Sequence, residues 1–220
     1  MGQASVKAYK GLGMEGFVAR WYAATTLKDL KEHQTLARRA AGELPAGAKV
    51  LEVAPGPGYF AIELAKLGGD VTCLDISRTF VEIGRRNAAE AHVQVDFRQG
   101  NASSMPFGEG SFDFLLCRAA FKNFSEPVRA LQEMHRVLRP GGKALIIDLR
   151  RDAARAAINE YVDGLKLSWT STLFTKGAFR FMLLKRAYTK ADFERMIAQT
   201  GFRKFQIEQN LVGMEITLER

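Results

Sequence analysis

The stretch VLEVAPGPGYFA, residues 50–61, breaks an apolar run with two prolines and two glycines and holds one acid, Glu52. Gly56, Gly58 and Ala61 fit the G-x-G-x-x-G/A spacing of a nucleotide-binding turn. A strand that feeds a helix through such a loop aims backbone N–H groups and the positive end of a helix dipole at one point. Glycine there lets a ligand approach the backbone closely. Taken alone, the spacing also describes a tight strand-to-helix turn with nothing bound. Three other features favour a nucleoside. Asp75 closes the next apolar run, VTCLD, nineteen residues after Gly56, where a carboxylate can accept both hydroxyls of a ribose. Glu52 stands just before the loop, where it would repel a pyrophosphate and favour an ammonium or sulfonium. GNASSMPF, residues 100–107, follows the third strand and can bring Asn101 and the neighbouring amide to an adenine edge.

These residues need a sheet to hold them, and the apolar pattern supplies one. Strands are expected at 49–54, 70–75, 93–98, 112–117 and 143–149, with helices at 58–67, 78–90 and 126–138. Pro127 suits the first turn of the last of these helices, and Pro140-Gly141-Gly142 stops it. Strands alternating with helices imply a parallel sheet covered on both faces. Ahead of this core, Phe17, Trp21, Leu27 and Leu30 recur at helical spacing, which predicts two helices over 14–43. Behind it, 150–187 is irregularly helical, and 189–200 is a helix opened by a Thr189–Asp192 capping box. FRKFQIE and MEITLE form a final hairpin. The expected fold is α/β and Rossmann-like, with a seven-stranded, mostly parallel sheet ending in an antiparallel hairpin. N-terminal helices and a helical lid complete it. We read the chain as a single domain, with N-terminal helices over 1–45, a core over 46–150, a lid over 151–187 and a closing helix and hairpin over 188–220.

Composition narrows the classes. The 220 residues are 47% hydrophobic and 25% charged, enough for a sizeable core. No apolar run reaches the roughly eighteen residues of a membrane span, and the N-terminus has no apolar signal region. Val6 breaks the myristoylation pattern that Gly2 suggests. The expectation is a cytoplasmic protein. Cys73 and Cys117 sit in apolar runs as small hydrophobes, and His33, His92 and His135 share no metal-ligand spacing, so no metal is expected. The net charge of +8 is uneven, because residues 151–187 hold seven Lys/Arg against three acids.

The motifs, taken in order, are more specific than the glycine loop. VLEVAPGPGYFAIELAKLG resembles the first motif of class I S-adenosylmethionine-dependent methyltransferases, and VTCLDIS resembles their acidic second-strand motif. GNASSMPFGEGSFDFLLC is similar to their third and fourth motifs. SEPVRALQEMHRVLRPGGKALIIDL is similar to the helix, Pro-Gly-Gly turn and fifth strand of the small-molecule branch. The resemblance implies S-adenosyl-L-methionine as cofactor. It sets the loop of Ala54, Pro55, Gly56 and Gly58 against the methionine part, with Glu52 organising the amino end and Asp75 on the ribose. It sets Ile76 on one adenine face, Asn101 and Ala102 near the adenine edge, and the backbone at Arg118 near the ammonium group. Ala54 departs from the glycine usual in the family, prolines fill both intervening positions, and Asn101 replaces a frequent Asp.

Methyl transfer from a sulfonium is an in-line displacement, in which positioning supplies much of the rate. A base is needed only when the nucleophile carries a proton. In the resemblance, CRAAFKNFSEP lies beside the methyl group, which makes Lys122 and Asn123 the catalytic candidates. Lys122 could orient an anionic acceptor or serve as a base, and a surface lysine or one paired with an acid is the competing reading. Tyr22, Phe121 and Trp169 are substrate-pocket candidates, with Trp21 a second aromatic able to close over the cofactor. His33 reads as a solvated helix residue rather than a base. The expected acceptor is a small apolar or aromatic molecule with room for a negative charge, and no nucleic-acid partner is expected. The rival readings are a nicotinamide-dependent reductase, a nucleic-acid methyltransferase and a cofactor-binding protein without catalysis.

Overall fold

The structure, a computed structural model, describes residues 9–10, 13–164 and 183–220. Its centre is a seven-stranded sheet. In chain order the strands are β1 (Lys49–Val53), β2 (Asp70–Asp75), β3 (Asp96–Gln99), β4 (Phe112–Arg118), β5 (Leu138–Leu149), β6 (Lys204–Gln209) and β7 (Gly213–Glu219), and their order across the sheet is β3-β2-β1-β4-β5-β7-β6. The strands from β3 to β5 pair in parallel, and β7 runs antiparallel to both β5 and β6. Chain direction reverses its progress across the sheet between β1 and β4. Doubly wound sheets bind their ligands at the carboxyl ends of such a pair.

The helices are α1 (Gly16–Thr26), α2 (Leu30–Glu43), α3 (Tyr59–Lys66), α4 (Arg78–Glu90), α5 (Pro127–Val137), α6 (Arg155–Gly164) and α7 (Lys190–Ile197). Alternate strand residues enter two cores, as a sheet buried on both faces requires. Leu51, Val53, Leu115 and Cys117 pack with Leu131, Met134 and Phe193 on one side. Val50, Val71, Cys73 and Leu116 pack with Phe60, Leu64 and Ala37 on the other. Both cysteines are buried and free. The Thr189–Asp192 capping box forms as expected, with reciprocal bonds of 3.1 and 2.9 Å. No described helix is long and apolar enough to cross a membrane.

Three expectations shift. The third strand begins at Asp96 rather than residue 93, because His92 turns left-handed (φ 56°) and the Val93 N–H closes the end of α4 on the Ala88 carbonyl. Pro140-Gly141-Gly142 ends α5 as expected but lies inside β5, whose pairing with β4 slips between Phe112 and Phe114. The inner face of α1 is made by alanines. Ala19 and Ala23 pack on Phe80 and Ile83 of α4, while Phe17, Trp21 and Leu27 face outward. Small side chains let the two helices approach closely, and the large ones are left outside.

Candidate functional site

The carboxyl ends of β1 and β4 each finish in an alanine forced into the left-handed region, Ala54 at φ 56° and Ala119 at φ 57°. Each still donates its N–H to a neighbouring strand, Ala54 to Leu74 O at 2.8 Å and Ala119 to Ile147 O at 2.7 Å. The chain therefore turns sharply just as the ladder ends. Backbone strain of this kind concentrates at ligand clamps, and here it flanks the topological switch point on both sides. Ala54→Gly should relieve its share. We expect a stability gain of up to about 1 kcal/mol in urea unfolding, net of the extra freedom glycine has when unfolded.

The loop between β1 and α3 is held from below by two buried carboxylates. Asp75 Oδ2 accepts from the Gly56 N–H at 3.1 Å, and its Oδ1 accepts from the Ser77 N–H at 2.9 Å. Each oxygen keeps acceptor capacity for a further donor. Burial raises the Asp75 carboxyl to about 6, against the pull of those two N–H groups. Glu52 is 3% exposed and its Oε2 accepts from the Ala61 N–H at 3.1 Å. That bond explains an acid inside an apolar strand. The N-cap of α3 is Gly58, which has no side chain to satisfy the first-turn donors, and the strand-borne carboxyl does so instead. Burial drives Glu52 up to about 8.

The two glycines are needed for different reasons. Gly56 (φ +56°) has open space where a side chain would begin, with only the Tyr22 and Phe80 rings at 4.0 Å. Gly58 (φ +79°) caps α3 and lies against the Phe97 ring, which an added Cβ would meet at 2.6 Å. Gly56 thus leaves a floor for a ligand, and Gly58 answers a packing demand. Tyr22 reaches this floor from α1, its ring edge-on to Phe80 at 5.9 Å. Ile76 is exposed just beyond Asp75. Asn101 spends its side-chain oxygen on the Ser103 N–H at 2.9 Å, and Ala102 is nearly buried beside it.

Not every expected residue reaches this place. Lys122 is buried, with its ammonium donating to Asp148 Oδ1 at 2.8 Å and to the Ala119 carbonyl at 2.6 Å. It braces the strained turn after β4, which commits two of its three ammonium protons to the protein itself. Phe121 is wholly buried among Phe124, Tyr188 and Phe193, so its ring offers no face to a pocket. Asn123 is half-buried at the end of the same turn. The Arg118 side chain leaves the strand end for α2, where it pairs with Glu32 and approaches His33 Nε2 at 3.1 Å. Trp169 lies outside the described residues, as does much of the segment expected to form a lid. His33 is not the solvated residue expected. It lies edge-on to Tyr59 at 5.8 Å, and burial with Arg118 beside it lowers its pKa to about 4.

Two contributors were not anticipated. Asp148 stands one residue from the end of the apolar run LIIDL, much as Asp75 ends VTCLD, and that similarity was the available signal. The segment before α1 also crosses the site's edge. Tyr9 bridges Phe124, the Lys10 N–H donates to Asn123 O at 2.7 Å, and the Lys10 ammonium donates to Tyr188 Oη at 2.8 Å. Among the described residues, no three His, Cys, Asp or Glu side chains are grouped to hold a metal.

Residues 51–146, from β1 to β5, match the family model described as a methyltransferase domain. The core matches a methyltransferase domain. Its relatives agree. A demethylmenaquinone methyltransferase of Renibacterium salmoninarum is 38% identical over half of this chain and 44% of its own length. A ubiquinone biosynthesis O-methyltransferase of Xanthomonas axonopodis is 33% identical over 52% of this chain and 48% of its own. The chain thus spans about half the length of these two curated relatives. A demethylmenaquinone methyltransferase of Chlorobaculum parvum aligns further, over 71% of this chain and 66% of its own length at 31% identity. The methyltransferase fold extends beyond the matched core. A solved S-adenosylmethionine-dependent methyltransferase of Aquifex aeolicus superposes with a TM-score of 0.63 over 86% of this chain and 97% of its own, at 16% identity. A Methanococcus maripaludis protein provisionally assigned to the same class covers 100% of this chain and 97% of its own, with a TM-score of 0.77 and 18% identity.

Proposed function

We propose that this protein transfers the methyl group of S-adenosyl-L-methionine to a small aromatic or apolar acceptor, with quinone-type rings the first class to test. The observation that carries the reading is the Asp75–Gly56 bond, which ties the carboxylate placed for a ribose to an open glycine floor at the switch point. The quinone class comes from the names of the curated relatives. When bound, the cofactor supplies an electrophilic methyl on a sulfonium. The chain's task is then to bind and orient. Asp75 accepts the ribose hydroxyls, and Ile76 covers an adenine face with Asn101 and Ala102 at its edge. The backbone from Ala54 through Pro55 to Gly56 carries the methionine part. Glu52 fastens α3 beneath the loop, Gly58 sets its angle, and the turn at Arg118 and Ala119 bounds the other side. Tyr22 closes over Gly56. Asn123 is the candidate for contact with the acceptor. We place the whole chain in one domain, with the acceptor side formed by the segments after β4 and β5. Of the seven cations in residues 151–187, Arg151 is already paired with Asp192 and is not free for a charged acceptor.

Calorimetry with S-adenosylmethionine, S-adenosylhomocysteine, NADH and NADPH tests the cofactor directly. Binding of the sulfonium and its product, and of neither nicotinamide, is expected; the reverse pattern would overturn the reading. Asp75→Ala should weaken S-adenosylhomocysteine by about 2–3 kcal/mol, roughly 30- to 150-fold, the worth of a charged hydrogen-bond pair. An unchanged affinity removes Asp75 from the site.

A further inference from the structure

The outer face of α1 has no part in the site, yet it exposes large apolar side chains close together. Of the seven large apolar side chains exposed among the described residues, three are Phe17 (75%), Trp21 (58%) and Leu27 (53%). Phe17 and Trp21 are one helical turn apart and project from the same side. Exposed Arg20 and Ala24 share that side, and Lys28 and Lys31 continue it. From residue 16 to residue 28 there is no acid. Of the flanking acids, Glu15 accepts from Arg78 and Thr79 and Glu32 pairs with Arg118, while Asp29 lies between Lys28 and Lys31 in the sequence, so the face keeps a net positive charge. The opposite face of α1 already supplies its packing through Ala19 and Ala23, with Tyr22 over the glycine floor.

We propose that this face docks on an anionic lipid surface. An aromatic pair beside cations, on a helix lying along the surface, is the arrangement that seats a protein at the headgroup level. Arg20, Lys28 and Lys31 supply attraction to acidic headgroups. A second copy is a poorer occupant, because a two-fold contact through this face would set Arg20 and Lys28 against like charges. A folded protein partner would need a broader patch than one helix face provides. Docking leaves the inner face of α1 where it is, and the proposal stands apart from the identity of the methyl acceptor.

Co-sedimentation with vesicles of phosphatidylcholine alone, and of phosphatidylcholine with an equal part of phosphatidylglycerol, reads it out. The full chain should pellet with the mixed vesicles at least about tenfold better than with the neutral ones, and added salt should release it. Phe17→Ser/Trp21→Ser should lose at least about tenfold in binding while unfolding at the wild-type temperature or above, since both side chains are exposed. Should that pair fail to fold, Trp169→Phe leaves Trp21 as the lone tryptophan, and its emission should shift to the blue only with anionic vesicles. Wild type left in the supernatant, equal pelleting by a folded Phe17→Ser/Trp21→Ser variant, or Trp21 emission already blue in buffer would each overturn the proposal. So would a dimer in light scattering that the Phe17→Ser/Trp21→Ser change dissolves.

Discussion

Lys122→Met is expected to cost about 3–5 kcal/mol of folding stability, a large share of what a domain this size has to lose. The ammonium is buried, donates to Asp148 Oδ1 and to the Ala119 carbonyl, and sees almost no water. Removing it leaves the Asp148 carboxylate unpaired in the interior, which is the expensive half of breaking a buried pair. The same carboxylate accepts from the Lys122 and Leu149 N–H groups, so it cannot swing away without breaking the backbone turn. Lys122→Met/Asp148→Asn should therefore recover part of the loss, because the neutral amide oxygen can still take one of those two backbone N–H groups. Urea unfolding of wild type and the two variants checks this. A single variant within about 1 kcal/mol of wild type would mean that the pair is solvated, and would return Lys122 to the catalytic candidates.

That pair shows where reading residues in order stops. The strand and helix alternation, the capping box, the hairpin and the acid closing the second strand were legible, because each depends on neighbours within a turn or a strand. Lys122 and Asp148 are 26 residues apart and meet only because β4 and β5 are adjacent. Phe121 was taken for a pocket residue for the same reason, since its companions Phe193 and Tyr188 arrive from a distant helix and from the bridge residue just before it. On α1 the periodicity was correct, but Trp21 faces outward and does not close over the cofactor. Helical spacing cannot tell which stripe is buried when a competing stripe of alanines allows a closer approach. His33 was misjudged because its burial depends on Arg118, 85 residues on. Asp75 was found by pattern, but its grip on Gly56 required the fold.

Glu52→Gln is expected to stabilise the ligand-free protein, increasingly as pH rises. The folded Glu52 carboxyl holds its proton up to about 8, and the Asp75 carboxyl up to about 6, whereas both release it near 4 when unfolded. Between those limits the folded state binds more protons than the unfolded one, so raising the pH drains stability. The stabilising contribution is full below the unfolded values and is gone once the folded carboxyls ionise. Asp75 has finished by the time Glu52 is half done, so of these two the window from 6 to 8 belongs to Glu52. Each unit is worth about 1.4 kcal/mol, and wild type should lose on the order of 2–3 kcal/mol across that window. Glutamine keeps an oxygen for the Ala61 N–H and has nothing to ionise, so its curve should stay nearly level there. Thermal and urea unfolding at pH 6, 7 and 8 compare them, and parallel curves would show that Glu52 is not the group responsible. The same carboxyl also tests the site. An ammonium close to Glu52 would favour its ionised form, so S-adenosylhomocysteine binding at pH 7 should release a proton from wild type and none from Glu52→Gln. Calorimetry in buffers of different ionisation enthalpy counts that proton. Equal counts would confine Glu52 to its structural duty under α3, and a difference would join the fastening of the loop to recognition of the cofactor's amino end.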